Sequence, residues 1–273
     1  MNKDVTIKVA KDLRKLILKG AVSTPSRGAH LGGSLSCIDI LSVLFGLWSF
    51  DNQINNSSAR LTFSKGHSCL ALYSFLLYVG LLSEDDFDNF QSNGSNLMGH
   101  PVRDLDNGIY FSSGSLGIGL ANCVGQAIYM KKKYNLDSPK IICIVGDGEA
   151  SEGIVYESLA VASKHLLSNL LIIIDVNGLQ QTGFTKDISN TINWSQFAHS
   201  LGCIFYEIAD GNNHEQIIKE LTNIKESVHH TVQVVAAKTV KGSGISFMEN
   251  DNKWHYASLS KEKYIEAIKL LNL

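Results

Sequence analysis

Two short apolar runs constrain the fold of this chain more than any other feature. Residues 141–145 end at Gly-Asp-Gly, and residues 170–174 end at Asp-Val-Asn-Gly. Each run is short, rich in β-branched residues and followed by a turn sequence, so each is predicted to be a buried strand. Residues 153–166, between them, have helical periodicity. A strand, a helix and a strand in this order form a right-handed βαβ unit with two parallel strands.

The same alternation continues towards the end of the chain. Strands are predicted at residues 204–208 and 232–237, with a helix over residues 214–227 between them. The spacing of apolar residues predicts further helices over residues 9–21, 70–82, 116–133 and 260–273, and one that begins near Ser36 with Asp39 in a capping pattern. The predicted fold class is therefore α/β, with a mostly parallel sheet and helices on both faces.

Composition limits the functions open to such a domain. The 273 residues are 44% hydrophobic and 18% charged with a net charge of −2, which argues against a nucleic-acid partner. The amino terminus is charged and no apolar run reaches about 18 residues, so we predict a cytoplasmic protein without a membrane partner. Five scattered cysteines favour buried free thiols over disulfides or zinc. With 3 prolines and no low-complexity linker, residues 1–273 are predicted to form a single domain.

Polar side chains follow both strands of the predicted βαβ unit. Asp147 and Asn177 come directly after them, at the sheet edge where parallel sheets bind ligands. Carboxylate, amide and backbone oxygens suit Mg²⁺ or Ca²⁺, and Mg²⁺ in proteins is often shared with a phosphate ligand. Gly148 would let a diphosphate approach the backbone near a helix amino terminus.

Turns are the alternative interpretation of these two sites. Gly-Asp-Gly and Asn-Gly are common turn sequences, and each alone would most often be one. Their positions at consecutive strand ends favour binding instead. Neither the G-x-G-x-x-G nor the G-x-x-x-x-G-K-[ST] motif occurs here, which excludes the usual dinucleotide and P-loop sites.

The Gly-Asp-Gly and Asn177 pair resembles the signature of thiamine-diphosphate enzymes, and the wider sequence resembles transketolase. The matching stretches, in the family's order, are GAHLGGS (28–34), SKGH (64–67), GHP (99–101), SGSLG (113–117), GDGEASEG (146–153), DVNGLQQTG (175–183), AKTVKGSG (237–244) and KWH (253–255). An ordered set across most of the chain is specific, whereas a lone Gly-Asp-Gly would be weak. The resemblance implies the fold that binds the diphosphate and Mg²⁺ half of the cofactor.

The resemblance also implies roles for individual residues. Mg²⁺, with Ca²⁺ as an alternative, would be bound by the side chains of Asp147 and Asn177 and by the carbonyl oxygen of Leu179. Thiamine diphosphate would be contacted by His67, Gly114, Ser115, Leu116, Gly148, Glu149, Asn177, Lys238 and His255. A lysine beside a diphosphate is electrostatically favourable.

Three histidines, His30, His100 and His255, match the family's catalytic positions. A side chain that titrates near neutral pH suits proton transfer to and from sugar hydroxyl and carbonyl groups. His214 is assigned no role because the sequence around it departs from the family pattern. Glu152 resembles a carboxylate near the family's subunit interface, but a charge in the first turn of a helix explains it equally well. The remaining histidines are predicted to be structural or surface residues: His165, His199, His229 and His230.

The implied activity is transfer of a two-carbon ketol unit from a ketose phosphate to an aldose phosphate, with ping-pong kinetics. Complete transketolases also have pyrimidine-binding and C-terminal domains, for which this length leaves no room. We therefore predict the N-terminal subunit of a split transketolase, which requires a separately encoded pyrimidine-binding subunit for activity and forms a heterotetramer with two copies of each. Two alternatives stay open: delivery of the two-carbon unit to a carrier protein or an unusual sugar, and a non-catalytic scaffold paralogue.

Overall fold

A parallel sheet forms the centre of the molecule in the computed structural model, which describes residues 1–24, 26–50, 58–135, 138–189 and 192–272. The strands are β1 (Ala59–Phe63), β2 (Lys140–Gly146), β3 (Leu170–Val176), β4 (Ile204–Ile208) and β5 (Gln233–Lys238). They form a 5-stranded sheet in the order β1-β2-β3-β5-β4, and every neighbouring pair is parallel. The predicted α/β fold class is confirmed.

Helices surround this sheet. They are α1 (Lys3–Val22), α2 (Leu31–Leu35), α3 (Ile38–Leu47), α4 (Cys69–Tyr78), α5 (Glu84–Asp88), α6 (Ile118–Tyr134), α7 (Gly153–Lys164), α8 (Thr185–Ile188), α9 (Trp194–Ser200), α10 (His214–Glu226) and α11 (Lys261–Asn272). The predicted βαβ unit is β2, α7 and β3, and Ile144 pairs with Ile173 across its two strands. Its strands are buried on both faces, which explains their continuous apolar sequences.

Alternate residues of the strands belong to two separate hydrophobic clusters. Ile142, Ile144 and Ile173 pack with buried residues of α1, α3, α4 and α10. Cys143 and Ile172 point to the other face and pack with α6, α7 and α9. The sheet therefore has helices on both faces, as predicted, because successive strand side chains point in opposite directions.

Three local predictions differ from the structure. Strand β1 was not predicted, because Arg60 and Thr62 interrupt its apolar pattern. The predicted cap at Ser36 is wrong: α3 begins at Ile38, and Ser36 donates its hydroxyl to Asp175 Oδ2 at 2.6 Å instead. The helix predicted over residues 70–82 ends at Tyr78. The last predicted helix ends at Asn272, and residue 273 lies outside the described part of the chain.

A buried ion pair joins α1 to α3. Arg14 Nη1 and Nη2 donate to the two oxygens of Asp39 at 2.8 and 2.7 Å. His214, at the start of α10, places Nε2 3.2 Å from Asp39 Oδ1 and Nδ1 2.8 Å from Thr6 Oγ1. Burial disfavours the ionised acid, but the neighbouring guanidinium outweighs it and holds the pKa of Asp39 below its usual value. His214 is thus a structural residue at the junction of three helices.

All five cysteines are buried free thiols, as predicted. In the part of the chain that the structure describes, no helix combines the length and the hydropathy needed to cross a bilayer.

Candidate active site

A cavity of about 460 Å³ lies at the carboxyl ends of β2 and β3. Asp147 and Asn177 each follow the end of a strand, and both line it. The other predicted site residues that line it are His30, His67, His100, Gly114, Leu116, Gly148, Glu149, Leu179 and His255. The cavity therefore brings together residues that are widely separated in the sequence, because parallel strands place their carboxyl ends at one edge.

Backbone amides hold the carboxylate of Asp147 in place. Oδ1 accepts from the N–H of Gly148 at 2.9 Å, and Oδ2 accepts from the N–H of Gly178 at 2.8 Å. Thr185 Oγ1 also donates to Oδ2, at 3.0 Å. Burial, together with the nearby carboxylate of Asp175, raises the pKa of Asp147 above its usual value. A cation beside this group would relieve that cost, because an opposite charge favours the ionised form.

A buried ion pair that sequence reasoning missed lies beside Asn177. Lys65 Nζ is 2.5 Å from Asp175 Oδ2, and both side chains are almost completely buried, at 1% and 0% exposed. Asn177 Nδ2 donates to the same oxygen at 3.0 Å. Burial opposes the charge on each partner, but their mutual attraction prevails, so the pKa of Lys65 is raised and that of Asp175 is lowered. Both residues occur inside the quoted motifs SKGH and DVNGLQQTG, which is the signal that could have identified them.

Four histidines form a cluster on the other side of the cavity. The ring of His30 lies 5.4 Å from His67, 5.7 Å from His100 and 5.4 Å from His255, measured between centroids. Burial first, and then the neighbouring histidines and Lys241, lower the pKa of His30 to about 4. Burial and Lys241 likewise lower the pKa of His255 to about 4. These two rings are neutral at pH 7, so each has a nitrogen free to accept a proton.

Gly148 provides a close approach to the backbone in the same cavity. A Cβ atom at this position would lie 2.9 Å from Gln180 Cγ, so a side chain here would meet this neighbour. An open backbone N–H region next to the buried Asp147 fits a diphosphate held through a cation.

The carboxylate of Glu149 is occupied by the protein itself. Oε1 accepts from Ser64 Oγ at 2.6 Å and from the N–H of Gly117 at 2.7 Å, and Oε2 accepts from the N–H of Gly146 at 3.0 Å. The side chain connects the loop before α6 to the end of β2. Glu149 lines the cavity, and these three bonds give it a supporting function in the binding loop.

Two lysines of the AKTVKGSG motif have different surroundings. Lys238, the predicted cofactor contact, lies outside the cavity lining, its side chain 61% exposed and its ammonium 2.7 Å from Glu207 Oε1. Lys241 lines the cavity and donates to the carbonyl oxygens of Leu179 and Gln180 at 3.2 and 3.0 Å. The structure corrects the prediction from Lys238 to Lys241, because the chain turns into the cavity only after β5 has ended.

Two further predicted residues differ in position. Ser115 is exposed and is not among the cavity-lining residues, although its neighbours Gly114 and Leu116 are. Glu152 lines the cavity from the amino-terminal cap position of α7, where its side chain makes no capping hydrogen bond. Sequence reasoning assigned no role to Gln180, Gln181 and Thr182, which also line the cavity and lie in the DVNGLQQTG stretch.

The donor set fits a cation that shares its ligands with a phosphate compound. Within the described ranges, no group of three or more His, Cys, Asp or Glu side chains is arranged to hold a metal ion. The site instead offers one carboxylate, one amide and a backbone carbonyl, which leaves coordination positions for ligand oxygens.

The parallel sheet with this oxygen-donor pair and glycine turn at its carboxyl edge defines a domain that binds a diphosphate cofactor. The family model for the transketolase thiamine diphosphate binding domain matches residues 6–271. The chain belongs to the transketolase family, and the resemblance seen in the sequence is confirmed.

Relatives of two sizes match this chain. It is 36% identical over 252 residues to one named subunit of the apulose-4-phosphate transketolase of Actinobacillus succinogenes, covering 91% of this chain and 89% of that protein. The subunit of the same name from Phocaeicola vulgatus is 33% identical over 248 residues, covering 89% and 86%. Human transketolase is 32% identical over 253 residues, covering 90% of this chain but 39% of the human protein.

A solved structure gives the same relation. The transketolase of Campylobacter jejuni superposes with a TM-score of 0.88 at 31% identity, covering 100% of this chain and 43% of that chain. The chain therefore corresponds to the thiamine-diphosphate-binding part of complete transketolases and to nearly the whole length of the two apulose-4-phosphate transketolase subunits.

Proposed function

We propose that this chain is the diphosphate-binding subunit of a two-subunit transketolase that transfers a two-carbon ketol unit between sugar phosphates. The observation that carries the proposal is the cavity in which the Asp147 and Asn177 pair lies opposite four histidines. The pair suits a cation and a diphosphate, and the histidines suit the proton transfers of hydroxyl and carbonyl groups.

Asp147, Asn177 and the carbonyl oxygen of Leu179 would hold Mg²⁺, which Ca²⁺ could replace. The diphosphate would lie against Gly148 and the loop that contains Gly114 and Leu116, and Lys241 would contribute a positive charge. Burial lowers the pKa of Lys241 to about 8, so most of it is charged at pH 7. His67 would contact the cofactor from the histidine cluster, with Glu149 supporting the loop. When bound, thiamine diphosphate supplies the electron sink for cleavage of a carbon–carbon bond.

His30, His100 and His255 would exchange protons with the sugar. Their low pKa values keep them neutral at pH 7, so each can accept a proton from a donor hydroxyl and return it to the acceptor's carbonyl oxygen. The central position of His30, within 5.7 Å of the rings of both His100 and His255, allows the three to act on adjacent groups of one sugar.

A partner subunit is part of the proposal. The two relatives of similar length are each named as one subunit of a transketolase, which supports a second, pyrimidine-binding subunit in a heterotetramer with two copies of each. We place the enzyme in the cytoplasm, where its five free thiols remain reduced. The same relatives support a second candidate substrate, an unusual sugar phosphate such as apulose 4-phosphate, in place of a pentose phosphate.

Cofactor binding and catalysis test the proposal separately. Calorimetric titration of the chain, with its partner subunit, should show thiamine diphosphate binding that requires Mg²⁺ and is lost on adding EDTA. Asp147→Ala should weaken that binding at least about tenfold, whereas Asp187→Asn, an exposed acid on α8, should not change it. Absence of binding with the partner present would support the scaffold alternative.

Turnover then distinguishes the substrates. The mixed pair should transfer the two-carbon unit from xylulose 5-phosphate or apulose 4-phosphate, and the faster donor identifies the substrate class. Equal turnover by the chain alone would contradict the requirement for a partner.

A further inference from the structure

An asparagine that binds a cation must present the correct end of its side chain. The amide has one carbonyl oxygen, which can coordinate a cation, and one NH₂ group, which cannot. The two ends have almost the same shape, so the partners of the amide decide which one is left for a ligand. The partners of Asn177 are therefore part of the proposed cation site.

The NH₂ end of Asn177 is bound to a buried carboxylate. Asn177 Nδ2 donates to Asp175 Oδ2 at 3.0 Å, and Asp175 is 0% exposed. The same oxygen accepts from Ser36 Oγ at 2.6 Å and from Lys65 Nζ at 2.5 Å. Thr239 Oγ1 donates to the other oxygen, Oδ1.

Lys65 keeps this carboxylate an acceptor. Its ammonium belongs to a residue only 1% exposed and also donates to the carbonyl oxygen of Gly33 at 2.7 Å. A buried ammonium beside the carboxylate favours the ionised acid, which has lone pairs and no proton to donate. Asn177 can therefore meet Asp175 only with its NH₂ end.

The oxygen of Asn177 is left available. Oδ1 accepts from the N–H of Leu179 at 3.2 Å and retains a second lone pair, and Asn177 lines the cavity. Asp175 also acts on the other proposed ligand, because its carbonyl oxygen accepts from the N–H of Asp147 at 3.3 Å. One buried residue thus contacts both Asp147 and Asn177.

We propose that Asp175, held by Lys65, is a positioning residue that fixes the amide of Asn177 with its oxygen towards the cation. This inference rests on the proposed function, in which Asn177 binds Mg²⁺ together with thiamine diphosphate. It assigns a function to a buried ion pair that contacts no substrate itself.

An exchange of acid and amide tests the proposal. Asp175→Asn introduces an NH₂ group that can donate to Asn177 and turn its amide, so the Mg²⁺ affinity of the chain saturated with thiamine diphosphate should fall about 10- to 100-fold. The double variant Asp175→Asn/Asn177→Asp should recover most of this loss, because the new amide donates to one carboxylate oxygen and leaves the other for Mg²⁺. A residue that only stabilised the fold would show no such recovery.

Thr239→Val is the matched control. It removes a hydrogen bond from the same carboxylate at the oxygen that Asn177 does not contact, so Mg²⁺ affinity should stay within about twofold of wild type while the thermal unfolding temperature falls. An equal loss of affinity in Thr239→Val, unchanged affinity in Asp175→Asn, or no recovery in the double variant would overturn the proposal.

Two further measurements keep the outcome interpretable. If Asp175→Asn does not fold, Lys65→Met/Asp175→Asn removes both buried charges together and should show the same loss of Mg²⁺ affinity. Failure of the wild-type protein to bind Mg²⁺ and thiamine diphosphate would contradict the proposed function, whereas normal wild-type binding with unaffected variants contradicts only the positioning role.

Discussion

Lys238 and Lys241 show how far a motif can identify a site at the level of single residues. Both are lysines in one short stretch, and electrostatics favours either beside a diphosphate. Their surroundings separate them: Lys238 pairs with Glu207 in solvent, and Lys241 contacts the Leu179 carbonyl oxygen in the cavity. Sequence reasoning could not make this distinction, since it depends on where the chain turns after β5.

A pair of matched substitutions tests that assignment. Lys241→Met should weaken thiamine diphosphate binding about 10- to 100-fold, because it removes a charge-assisted contact to the diphosphate. Lys238→Met should leave the affinity within about twofold of wild type, since only an exposed ion pair is lost. Calorimetric titration of both variants measures the difference, and the reverse order would favour Lys238 as the cofactor contact.

The buried His30 predicts a pH dependence of stability. Its pKa is about 4 in the folded protein, below the value near 6.5 of an unfolded chain, so the unfolded state binds a proton first as the pH falls. The free energy of unfolding should therefore decrease from about pH 6.5 to about pH 4. Urea denaturation should show a smaller decrease for His30→Asn, while His165→Asn, at an exposed position, should follow the wild type. Identical slopes for all three proteins would contradict the assignment.

The glycine at the start of α6 fixes the cofactor loop at the level of secondary structure. Gly117 has a φ of 81°, donates its N–H to Glu149, and lies so close to Ile154 that a Cβ atom would overlap its side chain. A left-handed residue against a packed helix leaves only glycine suitable. The loop that carries Gly114 and Leu116 is thereby joined to α7.

Alanine substitution at two glycines of this region tests that role. Gly117→Ala should destabilise the protein by at least about 1 kcal/mol and weaken thiamine diphosphate binding, because strain and overlap displace the loop. Gly125→Ala, in the exposed middle of α6 with no atom near its new Cβ, should leave binding unchanged and stabilise the helix by about 0.5–1 kcal/mol. Chemical denaturation and titration of both variants give the comparison.

Elements with continuous patterns were predictable from sequence. The apolar runs of β2 and β3 are buried on both faces, and their strands, with the helix between them, were confirmed. Strand β1 lacks that signal, since its polar residues are covered by tertiary packing. Ser36 failed as a cap because its hydroxyl is used by Asp175, a partner distant in sequence. Local patterns thus predict elements, while the buried polar partners depend on the assembled sheet.

At the scale of the whole molecule, the buried Arg14 and Asp39 pair connects the helices on one face of the sheet. Arg14→Met should destabilise the protein by about 3–5 kcal/mol, because it leaves the buried Asp39 carboxylate without its cation. Lys19→Met removes a pair with Asp88 that is about half exposed and should cost less than about 1 kcal/mol. Equilibrium denaturation measures both, and similar values for the two would contradict a special role for the buried pair.

The order of the strands has a consequence for synthesis of the protein. β5 is the last strand made, yet it lies between β3 and β4. A growing polypeptide therefore releases β3 and β4 from the ribosome before the strand that joins them, and the apolar edge of β3 stays open in the meantime. Lys241 and His255 emerge later still, so the cavity is completed only after all five strands have been made. That interval, between β4 and β5, is when the nascent chain is most exposed to aggregation and when a chaperone protects it most.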